Sequence, residues 1–167
     1  MAYLLDTDVF IQAKNLHYGF DFCPGFWAWI DAAHADGTVF SIEKVGDELK
    51  AGGDDLATWA TQRPALFLKP DSAIVPSLQA VSLWASGGAF SPAAVNTFLQ
   101  VADYYLISHA HAHQHIVVTH ERVAHGTKKI KIPNACIDLA VKCMTPFEML
   151  RLERARFVLG ASPGPVV

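Results

Sequence analysis

Two aspartates, Asp6 and Asp8, stand directly after a short apolar run, and chemistry can start from that pair. If extended backbone continues through Thr7, residues two apart point to the same side. Carboxylates placed this way repel each other and lose hydration unless a cation or hydrogen-bond donors satisfy them. Such oxygen ligands suit a hard divalent ion, Mg²⁺ or Mn²⁺, better than a soft metal. The plainer alternative is a turn or a cap, with Asp8 capping a helix at Val9.

Three further acids occupy positions from which they can join this pair. At about 100° per residue, Ile42, Val45 and Leu49 form one helical stripe, with Glu48 about 90° from its middle and Asp47 nearly opposite. Glu48 is therefore expected to lean into a cleft and Asp47 to face water, while Glu43 reads as a first-turn acid favoured by the helix dipole. Asp103 opens an apolar helix, where a cap or first-turn role competes with a site role. Glu121 follows the β-branched run at 116–119 and is long enough to reach a metal through water. Thr119, at the end of that run, is placed to orient a neighbouring carboxylate, although a plain strand-end threonine fits as well. Arg122, Lys128, Lys129 and Lys131 form the best local candidate for holding a phosphate backbone, set against the ordinary solvated face that a charge run makes.

Six of the eight histidines fall between His109 and His125. His109 with His113, and His111 with His115, have the i, i+4 spacing of a metal pair, but no neighbouring acid completes a metalloprotease motif. The incidental reading is preferred. Trp27, Trp29, Trp59 and Trp84 sit on helical patterns and read as core or interface residues.

The elements that must position these groups alternate in type. Residues 2–5 read as a central strand covered on both faces. Pro24 opens a helix that Gly37 ends. A second strand at 38–40 precedes a helix capped by Ser41 and running to about Lys50. Gly52 and Gly53 break the chain, and Asp54 or Asp55 starts the next helix. Residues 65–68 make a third strand, and 71–86 a helix stopped by Gly87 and Gly88. Ser91 and Pro92 start another helix. One more covers 102–113, before the strand at 116–119. Short helices at 134–139 and 146–150 flank a last strand near 141–143. This order implies an α/β fold with a mostly parallel sheet between two helical layers, whose ligands bind beyond the carboxyl ends of the strands. One domain is expected over residues 1–160, with a loose Gly/Pro-rich tail from Ala161 onward.

Composition limits the rest. Hydrophobic residues are 51% of the 167 and charged residues 17%, which argues against disorder over most of the length. The formal net charge of -3 leaves phosphate binding to local basic patches or bound cations. Cys23, Cys136 and Cys143 form no Cys-x-x-Cys pair, against a disulfide scaffold or zinc ribbon, and a reducing cytoplasm is the expected location. No signal peptide is visible and no apolar run is long enough to span a bilayer.

Residues Tyr3-Leu4-Leu5-Asp6-Thr7-Asp8-Val9-Phe10 resemble the opening of PIN domains, including VapC-like toxins. Val45-Gly46-Asp47-Glu48-Leu49-Lys50-Ala51-Gly52 resembles their second acidic motif, and Ala102-Asp103-Tyr104-Tyr105-Leu106-Ile107 their third. Val117-Val118-Thr119-His120-Glu121 resembles the segment after the fourth strand, with Glu where Asp or Asn is commoner. Cys23-Pro24-Gly25-Phe26-Trp27 and Ile132-Pro133-Asn134-Ala135-Cys136 point to a less characterised PIN-like branch. The resemblance covers nearly the whole chain. It implies a metal-dependent endoribonuclease that uses Mg²⁺ or Mn²⁺, with Asp6 as central ligand and Asp8, Glu48, Asp103 and Glu121 completing the acidic pocket. It also implies an RNA substrate and a cognate antitoxin; a homodimer is a further candidate assembly. Two alternatives stay open. Leu5-Asp6-Thr7-Asp8 also resembles the first motif of haloacid-dehalogenase-like phosphatases, although Phe10 stands where those enzymes want Thr or Val and no convincing downstream Gly-Asp pair is visible. A non-catalytic PIN-like module that binds RNA or protein is the other.

Overall fold

The computed structural model describes residues 1–158. The tail expected from Ala161 onward lies outside the described residues. Five strands, β1 (Tyr3–Leu5), β2 (Val39–Ile42), β3 (Phe67–Leu68), β4 (Ile116–Val118) and β5 (Lys142–Met144), form one parallel sheet in the order β3-β2-β1-β4-β5. The described helices are α1 (Thr7–Gln12), α2 (Pro24–Ala35), α3 (Glu43–Ala51), α4 (Asp55–Thr61), α5 (Val75–Gly87), α6 (Pro92–Phe98), α7 (Ala102–His113), α8 (Ile132–Asp138) and α9 (Pro146–Leu152). The architecture is the expected three-layer α/β/α arrangement. All three residues of β1 are buried although their side chains alternate between faces, so both faces of the central strand are covered.

Local chemistry sets several boundaries. Gly37 takes a positive φ of 74° where α2 ends, a conformation that costs glycine little. Asp54 caps α4 through Ala57 N–H, and Ser91 caps α6 through Ala94 N–H. Gly46 lets α3 approach β3 closely: a β-carbon there would stand 2.9 Å from the ring of Phe67. Trp27 and Trp59 are buried in the core with Phe10, as their patterning suggests, and Trp29 and Trp84 pack against it.

Five local expectations change. The chain does not stay extended after Asp6: α1 begins at Thr7, so Asp6 is its N-cap residue and Asp8 an exposed first-turn acid. Helical hydrogen bonding, led by Val9 N–H to the Asp6 carbonyl, replaces the i, i+2 alignment. Ser41 lies inside β2, where its buried hydroxyl donates to the Leu5 carbonyl (2.6 Å), and it caps no helix. The third strand keeps only Phe67–Leu68, because Pro64 opens a 3-10 turn over Pro64–Leu66. The next helix likewise begins with a 3-10 turn capped by Asp71. His115 is off helix α7, since Gln114 turns left-handed (φ 55°) after it, so the second i, i+4 histidine pair does not form.

Candidate active site

The carboxyl ends of β1 and β4 and the start of α7 bring the predicted acids together. Parallel pairing of Leu5 with Val118 puts Asp6 and Thr119 side by side, and Asp6 N–H donates to the Val118 carbonyl (3.0 Å). The buried Thr119 hydroxyl donates to Asp6 Oδ2 (2.9 Å) and receives the backbone N–H of Glu121 (3.1 Å). Asp103 sits in the first turn of α7. Burial and the charges of Asp103, Asp8 and Glu121 push the Asp6 carboxyl up to about 8, against the Thr119 bond that lowers it. Asp103 is pushed up to about 6 by burial and by Glu121, Glu48 and Asp8, with Lys129 opposing. The five predicted acids thus share one electrostatic neighbourhood.

The two outer glutamates have structural partners that spacing does not reveal. Glu48 is exposed, like Asp47, but turns toward α1 and α7: Oε2 accepts the Thr7 hydroxyl (2.5 Å) and Oε1 the backbone N–H of Ala102 (3.1 Å). It thereby caps α7 from another element, as Val101 at that helix's N-cap makes no side-chain bond. Asp47 is 61% exposed and faces Lys50, and Glu43 is exposed and outside this neighbourhood. Glu121 plays the matching role at α8, where Oε2 accepts Ile132 N–H (2.8 Å). Its Oε1 receives Lys131 Nζ at 2.6 Å, with Lys129 Nζ at 3.5 Å.

Among the described residues, no three His, Cys, Asp or Glu side chains are gathered closely enough to hold a metal ion unaided. Asp6 Oδ1 and both oxygens of Asp103 accept no hydrogen bond among the described residues. A buried carboxylate (Asp6) and a partly buried one (Asp103) that repel each other and keep open oxygens fit Mg²⁺ or Mn²⁺, since Mg²⁺ binds through one or two carboxylates and keeps several waters.

The basic segment divides. Lys131 is committed to Glu121 and is not a free phosphate contact. Lys128 and Lys129 line a cavity of about 260 Å³ beside Asp103, and Arg122 lines another of about 460 Å³ with Thr119 and Glu121. Two of the histidines on and after α7 have hydrogen-bond partners: His111 Nδ1 lies 2.8 Å from the Ser77 hydroxyl, and His115 Nδ1 accepts Ala2 N–H, whereas His109 Nδ1 is buried without one among the described residues.

Sequence reasoning did not single out Thr7 as a partner of Glu48, nor His17 and the arginines at 151, 154 and 156 near the same edge. The concentration of three of the chain's five arginines within six residues was the available signal.

A family described as "Domain of unknown function (DUF4411)" matches residues 3–157, and the chain belongs to that family. No curated protein and no solved structure matches the chain.

Proposed function

We propose that this member of the DUF4411 family is a PIN-type, Mg²⁺- or Mn²⁺-dependent endoribonuclease, acting as the toxin of a toxin–antitoxin pair. The observation that carries the nuclease reading is the juxtaposition of Asp6, which is buried, and Asp103, which is partly buried, two carboxylates with no salt bridge among the described residues. Packing anions this way raises the energy of the metal-free protein, and functional sites commonly accept that cost. RNA and the toxin role rest on the sequence resemblance.

Asp6 and Asp103 would hold the ion directly. When bound, a divalent ion activates a water and neutralises charge developing on the phosphate. Thr119 fixes the Asp6 carboxylate through one oxygen and leaves the other open. Glu48 ties α1 to the start of α7, so Asp8 and Asp103 keep their spacing. Lys128 and Lys129 supply positive charge where a phosphodiester approaches Asp103. Lys131 holds Glu121 at the rim through a 2.6 Å bond. Exposed Leu16, Phe22 and Leu152 offer apolar surface to a protein partner.

The test is cleavage of mixed RNA by the purified protein across a Mg²⁺ or Mn²⁺ titration, in chelator, and beside Asp6→Asn. Cleavage that needs the metal and falls by orders of magnitude in the variant is expected. Equal activity in chelator would overturn the metal mechanism. Growth arrest on unopposed expression, relieved by a neighbouring gene product, is the matching test of the toxin role.

A further inference from the structure

We propose that the arginine-lined cavity beside α9, together with the rings of His17, His120 and Phe147, is a binding subsite for single-stranded RNA next to the cleaved bond. This deepens the nuclease reading and rests on it for the identity of the polymer. The cavity is about 420 Å³ and is lined by Tyr18, Phe147, Arg151, Arg154, Arg156 and Phe157 among others. A left-handed turn at Arg154 (φ 52°), with Ala155 N–H bonded to the Leu150 carbonyl, ends α9 and sends the chain back. Phe157 then packs on Tyr18 and against Gly25, which closes the floor of the cavity.

The three arginines have no salt bridge among the described residues, in a chain of net charge -3. The nearby acids are engaged elsewhere: Glu153 accepts the Tyr3 hydroxyl (2.8 Å) and Glu148 completes the cap of α9 through Thr145. Arg151 acts on Glu148 only as a through-space charge. A solvated, unpaired guanidinium group remains free for a phosphate, which it can grip with two parallel hydrogen bonds.

The rings connect this cavity to the acids. His17, His120 and Phe147 form a triangle with centroid separations of 5.3, 5.5 and 5.6 Å. Phe147 is 37% exposed and also lines the cavity, while His120 stands between Thr119 and Glu121 and senses the charge of Asp8. Half-exposed rings beside unpaired guanidinium groups match unstacked bases and their phosphates. A duplex, with its bases already stacked on each other, does not expose those faces.

The experiment is fluorescence anisotropy of a labelled single-stranded RNA 12-mer with the full chain in chelator, so that nothing is cut. Duplex RNA and single-stranded DNA of the same sequence are parallel arms. Arg151→Gln with Arg156→Gln removes two charges and keeps most of each stem; Lys142→Gln, at the start of β5, is the general-charge control. The expected result is tightest binding to single-stranded RNA and at least tenfold weaker binding by the double variant. The slope of log Kd against log salt should fall by about 1.4, at roughly 0.7 per lost phosphate contact. Lys142→Gln should change little. Equal affinity of the double variant and the wild type, equal weakening by Lys142→Gln, a preference for duplex or for DNA, or no binding at all would overturn the subsite. Arginine-dependent binding without metal-dependent cleavage would leave the subsite standing and sink the nuclease reading alone.

Discussion

Thr119 donates its hydroxyl to Asp6 Oδ2 across 2.9 Å, tying the end of β4 to the end of β1 at a point where both residues are buried. The Thr119 hydroxyl oxygen in turn accepts the Glu121 backbone N–H, so this side chain sets the start of the following loop as well as the carboxylate. Thr119→Val keeps the shape and removes both bonds. It is expected to cost about 1–3 kcal/mol, measured by urea unfolding in chelator, because Asp6 and the Glu121 N–H lose a buried partner. Metal affinity should fall by about 10–100-fold in calorimetry, as is usual when a residue that orients a ligand is removed. Unchanged affinity would remove Thr119 from any positioning role.

Metal-free stability should depend on pH in a direction opposite to that of a salt-bridged acid. Asp6 is raised from 3.8 to about 8 and Asp103 from 3.8 to about 6. Protonation is therefore favoured in the folded protein, and the stabilisation is fully present below pH 3.8. It is lost as pH rises, first through about 6 as Asp103 ionises and then through about 8 as Asp6 does. Thermal unfolding in chelator between pH 5 and pH 9 (about the range these acids span) should show Tm falling, beyond what a variant lacking both acids shows. Saturating Mg²⁺ should flatten the curve at its alkaline end. A Tm that rises across this window in chelator would contradict the mutually repelling pair.

Lys131 and Glu121 form the tightest ion pair near the cleft, at 2.6 Å, with Glu121 only 9% exposed. Lys131→Met leaves that carboxylate with Lys129 at 3.5 Å and the Ile132 N–H. The loss should be about 1–3 kcal/mol in chelator, since a mostly buried charge loses its nearest partner. In saturating Mg²⁺ the deficit should shrink, as the freed carboxylate then faces a cation. Equal deficits with and without metal would mean that Glu121 is purely a structural cap for α8.

The apolar run ending in Asp6 marked the central strand because only a doubly covered strand is apolar on both faces, and β1 is buried throughout. Glu48 was separable from Asp47 because helical periodicity fixes which side of α3 each occupies. Periodicity says nothing of what a side chain meets across the cleft. The bonds from Thr7 and Ala102 to Glu48, and from Lys131 to Glu121, follow from how α1, α7 and α8 pack, and only coordinates carry that. The extended alignment assumed for Asp6 and Asp8 failed for a local reason, since Thr7 already takes the first turn of α1. Arg151, Arg154 and Arg156 converge because the chain reverses after α9, a turn made with no glycine at Arg154 to announce it.

Asp103 exerts the largest charge effect on Asp6, second only to burial in raising it. Asp103→Asn nearly preserves volume and removes that charge, so three readouts should move together. The midpoint for Asp6 ionisation, followed by carboxyl NMR in chelator, should drop from about 8 toward the ordinary range. Tm in chelator above neutral pH should rise, because one of two repelling anions is gone. Mg²⁺ or Mn²⁺ affinity should fall at least tenfold, because a direct ligand charge is lost. Asp47→Asn is the matched control on α3: it is 61% exposed, faces Lys50, and should leave all three readouts near wild type. The opposed signs separate a metal site from a structural ion cluster. If Asp103→Asn lowers Tm in chelator and leaves metal affinity intact, Asp103 serves only the first turn of α7, and the two-carboxylate metal site fails.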